Sequence, residues 1–228
     1  MTSWLTVINV ARYHLIQRVI YVVLPWAILA FSFAVNLVVA AETPGNHTGG
    51  LASIYTYIFL CGLLSTSRSL PFGLALGVSR RCYYLGTAGL AVVLAAVYGL
   101  ALTVLQAIER ATGGWGVTLH FFRVTYILAG PWYLTWLTSF VGLALLFVYG
   151  MWFGIVYRRW NVTGLVAFIA GQITVLLAAT LIATWTHAWP GIGHFFSALR
   201  AAGLTGVLAA LTATLFAGGL TTIRRATV

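Results

Sequence analysis

Of the 228 residues only Glu42 and Glu109 are acidic, all twelve basic residues are arginine, and there is no Asp or Lys anywhere in the chain. A soluble domain carries roughly 25% charged residues; here 6% are charged, 61% are hydrophobic and the mean hydropathy is +1.00. So few charges cannot cover a water-exposed surface, so lipid has to cover most of the chain. The predicted fold class is all-α, a polytopic integral membrane protein. A pI near 10.2 raises nucleic acid as a partner. However, the arginines stand in ones and twos between apolar stretches and form no stripe, so no nucleic-acid partner is expected. They read better as topology signals.

Six apolar segments are long enough to cross a membrane, given about 20 residues per span at 1.5 Å per residue. They cover 16–41, 51–67, 83–107, 131–157, 164–185 and 204–223. With the N-terminus inside, Arg12, Arg18, Arg68, Arg80, Arg81, Arg158, Arg159, Arg224 and Arg225 fall on the cytoplasmic side and Arg110, Arg123 and Arg200 outside, nine against three. That bias predicts that both termini are cytoplasmic. Trp4, Leu5, Ile8, Ala11 and Leu15 recur at helical spacing, with Arg12 and His14 off the stripe, which predicts an interfacial N-terminal helix. The first long apolar run follows Arg18 and is too long for a signal-peptide core, so no cleavable leader is expected. With no linker and no repeat, 1–228 reads as a single transmembrane domain: interfacial helix 1–15, six-span bundle 16–223 and cytoplasmic tail 224–228. Of the outer loops, 42–50 is a short turn, while the aromatic 109–130 and 186–203 have room for short interfacial or re-entrant helices.

The missing residue types exclude whole chemistries. A phosphate-binding P-loop needs lysine, a two-metal site needs carboxylates, and a zinc-protease helix needs His-Glu-x-x-His, a spacing that His14, His47, His120, His187 and His194 do not have. No catalytic, metal-binding or cofactor-binding residue is expected, and the chain is not read as an enzyme. No ionisable residue is evident inside a span, which disfavours proton-coupled transport. Asn36, Gln106 and Gln172 read as interhelical hydrogen-bond formers and the glycine pairs 86/89, 150/154 and 218/219 as close helix contacts. Cys61 and Cys82 read as small core residues.

The segment from Arg68 to Thr87 joins the second and third spans on the cytoplasmic side. Pro71 and Gly73 break the helix leaving span two, Ser79, Arg80 and Arg81 make a polar tip, and Tyr83 and Tyr84 are expected at headgroup level. On the residues alone, a plain positively charged loop accounts for this segment as well.

The run Leu76-Gly-Val-Ser-Arg-Arg-Cys-Tyr-Tyr-Leu-Gly86 resembles the Gly-x-x-Arg-x-x-Phe/Tyr pattern of ABC-2-type transporter permease subunits. The order of parts, an interfacial helix and then six spans with a cytoplasmic loop between spans two and three, is also similar to that family. The resemblance implies a coupling loop that docks on a separate cytoplasmic ABC ATPase subunit through Gly77, Ser79, Arg80, Arg81 and Tyr84. Arg158 and Arg159 would be a second cytoplasmic contact. It further implies a second permease subunit, ATP and magnesium held by the ATPase partner and not by this chain, and export of an unidentified cargo across a bacterial cell membrane. The all-arginine usage suits a bacterial high-GC coding bias. The family's motifs mark no cargo-contacting position. Two other readings stay open at this point, a membrane scaffold or accessory subunit and a stand-alone channel or secondary carrier.

Overall fold

The computed structural model describes residues 4–43, 49–123, 130–199 and 201–225, without the side chains of Tyr13, Leu15, Ile16, Ser197, Arg224 and Arg225. The expectations for His47 and Arg200, and for 124–129 of the aromatic loop, lie outside the described residues. The order is α1 (Trp4–Ile16), a π-helical turn (Val19–Val23) running into α2 (Leu24–Glu42), α3 (Ala52–Leu64), a second π-turn (Ser65–Ser69) running into α4 (Leu70–Ala75), α5 (Arg80–Ala111), α6 (Trp132–Trp185), α7 (Trp189–Ala198) and α8 (Ala201–Arg225). Among the described residues there is no β-strand. Five helical stretches are long and apolar enough to cross a membrane: Val19–Glu42, Ala52–Ala75, Arg80–Ala111, Trp132–Trp185 and Ala201–Ile223.

Five stretches appear where six segments were expected because the segments at 131–157 and 164–185 belong to one 54-residue helical element. A straight helix of that length would reach about 80 Å. It does not run straight: Asn161 has φ 54° and ψ −152°, and the chain reverses there. Tyr149 donates its hydroxyl hydrogen to Gln172, 23 residues on, and the rings of Phe153 and Phe168 meet at 5.2 Å. Both pairs are centred on the break, so two antiparallel arms, 132–160 and 162–185, lie side by side. The expected cytoplasmic loop is thus reduced to one non-helical residue.

Paired contacts give the direction of each helix. Ser32 and Tyr57 tie α2 antiparallel to α3, through Gly50 and Ile20 respectively. The first arm of α6 runs parallel to α3, because Gly150 meets Phe59 and Leu63 while Gly154 meets Leu63 and Thr66. It runs parallel to α8 (Thr138 on Thr205, Trp152 on Leu215) and antiparallel to α5, whose Gly99 meets Phe140 while Tyr84, fifteen residues earlier, shares the 215–219 stretch of α8 with Trp152. The chain therefore alternates direction from one long element to the next. As a result Arg18, Arg68, Arg80, Arg81, Arg158, Arg159 and the end of α8 share one end of the bundle, and Arg110 and Arg123 the other.

Lipid offers no hydrophobic drive between helices, so close packing and satisfied polar groups hold such a bundle. A Cβ at Gly154 would stand 2.8 Å from the Leu63 carbonyl oxygen and one at Gly99 3.1 Å from the Phe140 nitrogen, so backbones meet where glycine stands. Of the expected glycine pairs, Gly86 packs on α1, Gly150 and Gly154 on α3, Gly218 on Trp152 and Gly219 on Tyr84, whereas Gly89 faces open space. Cys61 and Cys82 are buried free thiols. Gln172 makes the expected bond between spans, while Asn36 bonds back to Ser32 in its own helix.

A π-turn widens the helix and leaves carbonyl oxygens without the usual amide partner. Here neighbouring helices supply the donors. The Ile20 carbonyl receives the Tyr57 hydroxyl, Tyr21 that of Tyr98, Ser65 that of Tyr83, and Ser67 the Arg158 guanidinium.

Candidate functional site

The residues singled out for a partner contact gather at the arginine-rich end, around the elbow between α4 and α5. Proline fits the first turn of α4 because its missing N–H falls where helices leave amides unpaired, so Pro71 does not end the span, which runs on to Ala75. What ends it is Gly77. At φ 80° it takes the left-handed conformation that glycine allows, with Val78 N–H returning to Gly73 O at 3.1 Å and Gly77 N–H to Leu74 O at 2.9 Å. Ser79 is extended and its hydroxyl accepts from Cys82 N–H at 3.2 Å, capping α5. Two caps back to back leave four residues, 76–79, between helices. Gly77, Ser79 and Arg81 are exposed and Arg80 half-buried.

Tyr84 departs from the expected set, and Tyr83 with it. Neither is on the surface, where a headgroup anchor would be. Tyr83 is 1% exposed and Tyr84 fully buried. The Tyr84 hydroxyl donates to Phe216 O on α8 at 3.1 Å and its ring lies on Phe216. Tyr84 is thus a core residue, and the surface that a partner can touch comprises Gly77, Ser79, Arg80 and Arg81. A buried tyrosine needs a hydroxyl partner, and here helix carbonyls provide one for each.

Tyr83 is also part of a buried polar knot that the sequence did not reveal. Its hydroxyl donates to Ser65 O at 2.6 Å, so in the 3.3 Å contact with His14 Nε2 it accepts. His14 is therefore the Nε2–H tautomer, and the same N–H faces Thr87 Oγ at 3.3 Å. His14 is fully buried, and burial pushes its imidazole down from 6.5 to about 4, leaving it neutral at ordinary pH. Val7 and His14, seven residues apart, both meet the one turn of α5 around Gly86 and Thr87, so α1 crosses α5 and does not run beside it. Trp4, Leu5 and Ile8 of the expected apolar stripe face outward. The stripe is divided: these three residues lie on the outer face, Ala11 packs against the core, and the buried face is carried by Val10 and His14.

Arg158 and Arg159 sit at the α6 reversal. Arg158 Nη1 reaches Ser67 O at 3.4 Å, which joins this turn to the second π-turn, and Arg159 lies 4.6 Å over the Trp160 ring. The elbow and the reversal thus flank one π-turn.

At the opposite end Glu109, 2% exposed, holds the aromatic loop in place. Its Oε2 accepts from Phe121 N–H at 3.0 Å, Phe122 N–H at 2.8 Å and the Trp115 indole at 3.3 Å, while Phe33 packs on Trp115 and Phe121. The loop had room for a short helix; its described part instead turns through Gly113, Gly114, Trp115, Gly116 and Thr118, all at positive φ. The 186–203 segment does carry a short helix, α7. Among the described residues no group of three or more His, Cys, Asp or Glu comes together to hold a metal ion.

No protein-family model, no curated protein and no solved structure matches this chain.

Proposed function

We propose that the chain is the transmembrane permease subunit of an ATP-driven, ABC-2-type exporter, pairing with a second permease subunit and with separate cytoplasmic ATPase subunits in a bacterial cell membrane. In this reading each arm of α6 is a span, which gives six spans with both termini and the arginine-rich end in the cytoplasm. ATP and magnesium belong to the partner. The chain contributes the elbow and the pathway.

One observation carries the reading. The elbow's exposed arginine stands on a turn whose next residues are tied to three other parts of the bundle: Tyr83 to α1 through His14 and to the second π-turn through Ser65, and Tyr84 to α8 through Phe216. A partner pushing on Gly77–Arg81 therefore moves α5, and α5 cannot move without the interfacial helix, span two and the last span. Interlocked helices of this kind switch between discrete packings and do not deform smoothly. Arg158 adds a second handle on the same π-turn.

The test is gentle purification of the tagged chain from its host, with mass spectrometry of what accompanies it. A stoichiometric ATPase, lost when Arg80→Glu and Arg81→Glu are combined while the chain stays folded, is the expected result. Recovery with no nucleotide-binding partner, in a detergent that keeps such complexes intact, overturns the reading in favour of a scaffold or a stand-alone carrier.

A further inference from the structure

A groove of about 380 Å³ opens on the bundle surface between α5, the first arm of α6 and α8. It is lined by Leu85, Gly89 and Val92 of α5, Phe140 and Ala144 of α6 and Ala213 of α8, among others. Clefts that bind small molecules have roughly 300–1,000 Å³, so the space suits one flexible chain. A Cβ at Gly89 would meet nothing within 4 Å. Among the described lining residues the one polar side chain is Thr212, and its hydroxyl already donates to Leu208 O at 2.7 Å. A polar occupant would find no free donor and would lose its own hydrogen bonds on entering. An apolar chain loses nothing and supplies the dispersion contacts that the open walls lack.

The charge beside the groove identifies the other half of the occupant. At 3.6 residues per turn, Arg81, Leu85, Ala88 and Val92 lie on one face of α5, so Arg81 continues the α5 side of the groove toward the arginine-rich end. One turn, about 6 Å, separates it from Leu85. Helical side chains lean toward the helix N-terminus, so the Arg81 guanidinium extends away from the groove and toward the interface. Arg81 is exposed. Arginine matches the oxygens of a phosphate with a two-pronged donor set.

We infer that Arg81 and this groove form a binding site for an anionic phospholipid of the surrounding bilayer, the phosphate on Arg81 and one acyl chain in the groove. The site requires only that α5, α6 and α8 stand in a bilayer, and it is independent of any ATPase partner.

The test places the full chain, without partners, in phosphatidylcholine nanodiscs doped with phosphatidylglycerol that carries a photoactivatable group in mid-chain. After irradiation the labelled peptides are mapped, and the experiment is repeated with phosphatidylcholine carrying the same group. Label concentrated on 85–92, 140–148 and 209–216, stronger for the anionic lipid, is expected. Gly89→Phe should empty the groove of label without loss of helicity, and Ala213→Leu serves the same purpose from the other wall. Arg81→Gln should leave the labelled positions in place and reduce the preference for phosphatidylglycerol about fivefold, the usual worth of one basic residue at an anionic surface. Label spread evenly over other exposed faces such as 162–185, cross-links to a second copy of the chain at the groove, or a preference unchanged by Arg81→Gln would each overturn the site.

Discussion

The reversal at Asn161 makes a prediction that separates two very different molecules. In one continuous α-helix Phe153 and Phe168, fifteen residues apart, would lie about 22 Å from each other, whereas here their rings are 5.2 Å apart. With Cys61→Ala and Cys82→Ala as background, Phe153→Cys with Phe168→Cys should be joined by a short thiol cross-linker in a native membrane. The control pair Phe153→Cys with Leu181→Cys should not. The turn itself offers a second readout. Asn161 combines φ 54° with ψ −152°, a region used almost only by glycine and costing other residues about 1–3 kcal/mol. Asn161→Gly removes that cost and adds about 0.5–1 kcal/mol of unfolded-state entropy. A net gain of about 1 kcal/mol should raise Tm by about 3 °C in a chain of this size. Asn161→Val, β-branched at positive φ, should lower Tm instead. Absence of the cross-link, together with a glycine variant no more stable than the parent, would refute the hairpin and with it the alternating order of the long elements.

Three further outcomes are expected. Glu109→Ala strands two buried amides and an indole N–H at roughly 1–3 kcal/mol each, so it should cost about 3 kcal/mol or more and speed hydrogen exchange at Phe121 and Phe122, while Glu109→Gln, which keeps one acceptor, should cost less. For His14 the folded value near 4 lies below the ordinary 6.5, so the unfolded chain binds more protons between those limits; stability should be full above about pH 6.5 and fall as pH drops toward 4, by roughly 3 kcal/mol in all, and His14→Phe should flatten that slope in denaturation measured across the window. Gly154→Leu should push α3 off the first arm of α6 and cost at least about 1–3 kcal/mol, read as lost thermal stability, whereas Gly89→Leu, facing open space, should stay within about 0.5 kcal/mol of the parent.

Apolar length and arginine placement carried much of this molecule, because lipid selects for both. The sequence marks the segments and draws Arg68, Arg80, Arg81, Arg158 and Arg159 toward one end. It marks a break between 157 and 164, where Val162, Thr163 and Gly164 are poor helix formers, but it says little about the turn being made at Asn161 alone, a conformation that contacts across the arms select. It also misplaces Tyr83 and Tyr84. Their type suits a headgroup belt, but here their hydroxyls meet the carbonyls of Ser65 and Phe216, and no sequence pattern marks a free helix carbonyl. His14 was set aside as off the apolar stripe, yet it is buried while Trp4, Leu5 and Ile8 of that stripe are exposed. Glu109 looked like one more outer-loop charge because its partners are backbone amides, which every residue possesses.

The two π-turns carry a consequence for the chain as a length of text. Each amounts to one residue more than an α-helix would use over the same stretch. Removing a residue from 65–69 would therefore let that stretch close as an ordinary α-helix, with the parts on either side kept near their present orientation. The same cut made within α3 would instead turn everything beyond it by about 100° and carry the Ser65 and Ser67 carbonyls out of reach of Tyr83 and Arg158 respectively. A one-residue deletion is absorbed in these two short windows and acts as a rotation in the helices beside them, so the two ends of the bundle are kept in phase by a count of residues as much as by any side chain.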